Sequence, residues 1–331
     1  MTTRVNRLAL GSRLALALTL ACGAVTGTQA GDRSRHALVI GIDGCMPEAV
    51  QAARAPNLKA LAAAGTATWD GFSGGVPGTP SRQNTKSMPS WNSILMGVWC
   101  DKHLSVSYKK WKPNHAAYPN MFQRLKTFKP NAQSASIVTW KEINVDYAMT
   151  PGADYRAQGK DDDATTALAV AYIRDTTPDL VFVQLDQVDS AGERSGFSPK
   201  SATYMEAVET ADAQVGRLVA AIRERKTYAG EEWLIIVVSD HGGTYQVSKD
   251  PATGVETARG SHGGDTPEER RIFVIVSGEA AAKGVVSPGP GLVVAAPTAL
   301  QFLGATVKPE WKLDGQPFGL KDSAPAKADG K

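Results

Sequence analysis

Cysteine is scarce in this chain: there are only three, Cys22, Cys45 and Cys100. That is too few for a disulfide framework or a cysteine-built zinc site. Beyond residue 25 no apolar run approaches the roughly eighteen residues that a membrane-spanning helix requires. Basic charge is not in excess either, with 36 Lys and Arg against 33 Asp and Glu, which argues against a nucleic acid polymer as partner. No internal repeat and no Ser/Gly linker interrupts the sequence, so solenoids and strings of small domains are excluded. What is present is an ordinary globular composition, 42% hydrophobic and 21% charged, in which a sizeable core is feasible.

The first thirty residues read as a removable leader. Arg4, Arg7 and Arg13 precede the apolar stretch 14–25, and Thr28-Gln29-Ala30 is a small-x-small cleavage site. A lipid anchor on Cys22 is disfavoured because Thr19-Leu20-Ala21 lacks leucine at the first of those places. The expectation is a signal peptide at 1–30, a soluble periplasmic or secreted product without a membrane span, and one domain over 35–321. The small, charged tail 322–331 is expected to be disordered. Losing the leader removes three arginines and no acid, so the formal charge falls from +3 to about zero. In an exported chain Cys45 and Cys100 can pair or can remain two small core residues, and the sequence leaves both open. Oligomeric state is equally open.

Strand-like apolar runs recur at 37–42, 135–138, 180–185, 233–238 and 272–276, with helical patterns between most of them. The clearest helix spans 201–225, where Val208, Ala211, Val215, Leu218, Val219 and Ile222 form a stripe at helical spacing. Shorter helices are predicted at 56–63, behind Pro56, and at 165–173. Strands alternating with helices imply an α/β fold, a mainly parallel sheet covered on both faces. Residues 244–259 read as a hairpin excursion.

Three of these strands end in acidic residues: Asp43 after the first, Asp186 and Asp189 after the third, Asp240-His241 after the fourth. Buried parallel strands deliver such groups to the carboxyl edge of the sheet, where open α/β folds place their sites. An Asp and a His on one loop are metal-ligand chemistry, and Ser239-Asp240-His241-Gly242-Gly243 is nearly duplicated by Ser261-His262-Gly263-Gly264. Pro89 suits the first turn of a helix running to about Met96, which places Ser87 just before a helix N-terminus whose free amides favour an oxyanion. A serine hydroxyl there can be deprotonated by a metal and attack phosphorus.

Taken in order, Val39-Ile40-Gly41-Ile42-Asp43-Gly44, Ser87-Met88-Pro89, Gly97-Val98-Trp99-Cys100-Asp101-Lys102-His103 and Ser261-His262-Gly263-Gly264 resemble the alkaline phosphatase superfamily, within it the type I phosphodiesterase/nucleotide pyrophosphatase family. The resemblance implies a three-layer α/β/α fold and a metal-dependent hydrolase of phosphoric esters acting through a phosphoseryl intermediate on Ser87. It implies that Asp43, Ser87, Asp240 and His241 hold one divalent cation and that Asp189 and His262 belong to a second, most simply both zinc. The substrate would be a small-molecule phosphate ester, a diester or, as an alternative, a monoester.

Three departures from the family pattern stand out. Where relatives write Asp-x-x-Gly-His, this chain has Asp189-Ser190-Ala191-Gly192-Glu193. Glu193 can ligate a metal, but it adds a negative charge and suits manganese or another harder ion at the second position. Tyr108 stands where relatives commonly have a phosphate-binding asparagine, a bond a phenol can also donate. His103 is followed by Leu104 and not glycine, and reads as a structural residue or as one that supports the site from behind its ligands. Two other readings stay open: an exported pseudoenzyme or binding protein with an impaired second metal site, and a sulfatase or phosphonate hydrolase of the same superfamily. The second lacks the arginine of a Ser-x-Pro-x-Arg motif, having Trp91 there.

Overall fold

The computed structural model describes residues 33–106, 112–146 and 148–321. The expected leader, the tail and Tyr108 lie outside the described residues. Ten strands occur among those described: β1 (Ser34–Ile42), β2 (Thr66–Phe72), β3 (Ser134–Val138), β4 (Tyr155–Gln158), β5 (Leu180–Leu185), β6 (Glu231–Ser239), β7 (Gln246–Lys249), β8 (Glu256–Arg259), β9 (Arg271–Ser277) and β10 (Gly284–Val285). Eight of them form one sheet in the order β10-β2-β9-β6-β1-β5-β3-β4. Only β9 runs against the rest, pairing antiparallel with β2 and β6. The five predicted strands are present, and β7 and β8 make the separate hairpin expected between 244 and 259. The fold is the expected α/β one with a mainly parallel sheet.

Side-chain alternation in the central strands explains the two helical layers. On β1, Val39 faces one core while Leu38, Ile40 and Ile42 face the other, and β6 divides Leu234, Ile236 and Val238 from Ile235 and Val237 in the same way. The first core is closed by helices Ser87–Met96, Met121–Phe128 and Ala295–Phe302. The second is closed by Pro56–Ala64, Asp162–Asp175 and Ala202–Arg223. The last of these buries the predicted stripe, each large apolar side chain contributing about 1.5–3 kcal/mol. Its N-terminus is capped by Ser201, whose hydroxyl accepts from the Tyr204 amide at 3.3 Å.

Register sets the position of the site. Ile42 lies level with Leu185 on one side and with Ser239 on the other, so the three central strands end together and release Asp43, Asp186 and Asp240 at one edge. The Asp43 amide still bonds to the Leu185 carbonyl at 2.9 Å. Tyr204 reaches across to fasten the next turn, donating to the Gly44 carbonyl at 2.7 Å and accepting from the Met46 amide at 2.9 Å.

One detail differs from the sequence reading. The helix beginning near Pro89 starts at Ser87 itself, with Lys86 as N-cap. Proline is tolerated anywhere in the first turn, because those amides have no intrahelical acceptor, so Pro89 marks the turn without fixing its first residue. Cys45 and Cys100 are both free and buried, the Cys100 thiol lying 3.2 Å from the Arg82 carbonyl; the open question of their pairing resolves to two unpaired core residues.

Candidate active site

Ser87 opens a helix whose ten residues are all buried. It is therefore held against the carboxyl edge of the sheet, with the positive end of the helix dipole beside it. Its Oγ lies 3.3 Å from Asp43 Oδ1 and 3.3 Å from His241 Nε2. His241 Nε2 in turn lies 3.4 Å from Asp43 Oδ1 and 3.3 Å from Asp240 Oδ2. The ring of His241 stacks on that of His262 with centroids 4.0 Å apart and planes at 13°. His262 Nε2 faces Asp189 Oδ1 at 3.7 Å and Glu193 Oε1 at 3.5 Å. Residues scattered from position 43 to position 262 thus converge.

Both histidines have their protons fixed by backbone carbonyls. His241 Nδ1 lies 2.8 Å from the Gly242 oxygen and His262 Nδ1 lies 3.1 Å from the Thr85 oxygen. A carbonyl oxygen only accepts, so each neutral ring carries its proton on Nδ1 and presents the Nε2 lone pair to the carboxylates. Burial keeps them neutral: it holds His241 well below its ordinary pKa, assisted by His262, and it lowers His262 as well.

The carboxylates are short of positive partners. Burial first, then Asp240 and Asp189, hold Asp43 well above the usual carboxylate range. Burial, followed by Asp240 and Glu193, does the same to Asp189, and burial pushes Asp240 up to about 7. Asp240 Oδ1 accepts from the Gly44 amide at 3.0 Å and from the His241 amide at 2.9 Å. Its other oxygen, Oδ2, and Asp189 Oδ1 are buried with no hydrogen-bond partner. Buried unpaired oxygens facing bare imidazole nitrogens are what a bound divalent cation would complete. Two overlapping groups meet that description, Asp43 with Asp240 and His241, and Asp189 with His241 and His262, the donor atoms in each lying within 4.8 Å of one another.

Asp189 and Glu193 share the helix Gln187–Ser195, one turn apart. The helix is anchored by Asp162, which accepts from the Asp186 amide at 2.8 Å and the Gln187 amide at 2.9 Å. Gly44 at φ +61° lets the turn after β1 close on Asp189, whose Oδ1 would lie 2.6 Å from any added Cβ. Glu193 stands at the rim with its side chain 58% exposed. His103 is buried elsewhere, its Nδ1 accepting from the Ser105 amide at 3.0 Å and its Nε2 3.0 Å from Ser93 Oγ, a structural arrangement.

Two site residues escaped the sequence reading. Trp91 Nε1 and Gln184 Nε2 each lie 3.1 Å from Asp43 Oδ2. A glutamine inside the apolar run Val181-Phe182-Val183-Gln184-Leu185 is the signal that was available, since a polar side chain buried in a central strand demands partners.

Residues 37–265 match the family model described as type I phosphodiesterase / nucleotide pyrophosphatase. The chain belongs to this family. No curated protein matches it. Among solved structures it is similar in fold to murine ectonucleotide pyrophosphatase / phosphodiesterase 5, inactive and in complex with AMP, at TM-score 0.62 and 14% identity, covering 83% of this chain and 96% of that one. The human counterpart gives 0.61 and 14% over the same shares, 83% and 96%. A 2-O GAG sulfatase gives 0.62 and 14%, covering 88% of this chain and 76% of that one. The family supports a phosphodiesterase/pyrophosphatase-type hydrolase.

The raised carboxyls carry a pH dependence. A carboxyl whose pKa is higher folded than unfolded favours the folded state at low pH, and that contribution disappears as pH rises through the folded value. For Asp240 the window runs from about 4 to about 7. The metal-stripped protein is expected to lose stability across it, and added divalent cation to raise the melting temperature more at pH 8 than at pH 5. Thermal unfolding at both values checks this; an equal rise at the two would contradict it.

Proposed function

We propose that this chain is an exported, divalent-cation-dependent phosphodiesterase that uses Ser87 as nucleophile and passes through a phosphoseryl intermediate. The observation that carries the reading is Ser87 Oγ at 3.3 Å from both Asp43 and His241, at a helix N-terminus. When bound by Asp43, Asp240 and His241 and by Asp189 and His262, divalent cations such as zinc supply Lewis-acid stabilisation of charged oxygens and an acidified hydroxyl. The chain's own groups do the rest. Asp43 Oδ1 accepts the Ser87 hydroxyl hydrogen and so aims the oxygen's lone pairs away from the carboxylate. The first-turn amides and the dipole of helix Ser87–Met96 favour the negative charge that gathers on the phosphoryl oxygens. Attack forms the Oγ–P bond and breaks the bond from phosphorus to the leaving oxygen, which departs as an alcohol with the proton that Ser87 gives up. Water then cleaves the Oγ–P bond, restoring the hydroxyl and releasing a phosphate monoester. Tyr108 is a candidate for a further phosphoryl hydrogen bond.

Charge sets the ester preference within this reading. Asp43, Asp189, Glu193 and Asp240 bring four negative charges, enough to offset two divalent cations in full, whereas histidine in place of Glu193 would leave one positive charge over. A monoanionic diester is therefore favoured over a dianionic monoester, and manganese or another harder cation becomes suited to the Glu193 side. The exposed position of Glu193, 3.5 Å from His262, puts its charge where substrate would approach. The N-terminal arginines, apolar stretch and Thr28-Gln29-Ala30 support a periplasmic or secreted location.

Ser87→Ala should lower kcat for an aryl phosphodiester by at least about 10³-fold while leaving the fold intact; residual activity within tenfold of wild type would remove Ser87 from the mechanism. Glu193→His should raise the monoester-to-diester ratio of kcat/KM by about tenfold, the size of one unit charge partly screened at close range. A ratio unchanged in both zinc and manganese would show that Glu193 does not set the preference.

A further inference from the structure

We infer that Trp91 and Gln184 are positioning residues that restrict Asp43 to offering a single oxygen, Oδ1, to Ser87 and to a cation; the inference rests on the cation-dependent reading above. Asp43 is buried, and its two oxygens have separate surroundings. Oδ2 accepts the Trp91 indole N–H at 3.1 Å and a Gln184 amide N–H at 3.1 Å. Oδ1 is left facing Ser87 Oγ at 3.3 Å and His241 Nε2 at 3.4 Å.

Neither donor can turn away. The Gln184 Oε1 accepts from the Thr139 amide at 3.2 Å and the Trp140 amide at 2.9 Å, so the amide nitrogen must point to the carboxylates. Its second hydrogen goes to Asp186 Oδ1 at 3.2 Å, and all four bonding capacities of the side chain are used. Trp91 fits against Gly41 of β1, where an added Cβ would come within 2.3 Å of the indole ring, and it meets Phe182 edge-on with centroids 5.9 Å apart. Both donors are neutral, so they orient the carboxylate and leave its charge for a cation. Gln184 also joins the two donor groups, because Asp186 precedes the helix that carries Asp189 and Glu193.

Outer partners of metal ligands alter metal affinity by about 10–100-fold when removed. Trp91→Phe keeps an aromatic ring of similar shape and deletes only the N–H; Gln184→Glu keeps the acceptor for Thr139 and Trp140, deletes the N–H₂ and adds a buried carboxylate beside Asp43 and Asp186. The full-length protein, stripped of metal, is titrated with Zn²⁺ in competition with a chromophoric chelator, and the melting temperature of the stripped protein is recorded beside it. Trp91→Phe is expected to bind one of two Zn²⁺ about 10–100-fold more weakly, with the stripped protein melting as wild type does, whereas stripped Gln184→Glu, with its added buried carboxylate, is expected to melt lower. Wild-type affinity for both cations in both variants would overturn the inference and leave the phosphodiesterase reading standing. A lowered melting temperature of Trp91→Phe with both binding steps weakened alike would overturn it too, showing a role in packing only. Absence of Zn²⁺ binding by the wild type would remove the inference and the functional reading together.

Discussion

The structure depends on a concentration of negative charge at the carboxyl ends of three adjacent strands. β6, β1 and β5 end level with one another, and each is followed by an aspartate. The strands themselves are buried on both faces, so the aspartates emerge into a region with little water to stabilise them. Isolated carboxylates in such surroundings are costly, and the raised pKa values of Asp43, Asp189 and Asp240 express that cost. The surrounding framework makes sense as a means of holding these groups together despite their repulsion: the Tyr204 anchor on the turn after β1, the Asp162 anchor on the helix after β5, and the two carbonyls that fix the histidine protons.

Such an arrangement separates two functions that are often merged in descriptions of a site. The groups that would touch a cation or a phosphoryl group are few, and in Asp43 and Asp240 one oxygen of each is held by the protein behind it. Behind Asp43, the Gln184 side chain uses every hydrogen bond it has. Asp43 is the clearest case, one oxygen committed to Trp91 and Gln184 and the other free for chemistry. Asp240 repeats the pattern, with Oδ1 on two backbone amides and Oδ2 unpartnered. A serine at the start of a buried helix completes the design, because the helix brings both a fixed position and a favourable field.

Much of this was legible in the sequence, for physical reasons that can be named. Buried parallel strands are continuous apolar runs, so β1, β5 and β6 declared themselves, and the acidic residues at their ends followed. Strands β4 and β10 did not, since β4 is a polar edge strand and β10 has only two residues. β2 was hidden by Asp70 and Gly71, where its pairing with β9 shifts register. The polar Gln184 inside the apolar run of β5 signalled a need for partners, but the bonds of Trp91 and Gln184 to Asp43 span 48 and 141 residues, and no local pattern names that partner. The exact start of the Ser87 helix was also undetermined, proline being permitted at several first-turn positions. The family membership adds a reaction type to this picture.

The most direct test of the central claim is the metal stoichiometry of the purified protein after incubation with zinc or manganese and removal of excess ion, measured by elemental analysis. Two equivalents per chain are predicted, one for each of the two donor groups that meet at His241. A protein that retains no divalent cation under either condition would contradict the account.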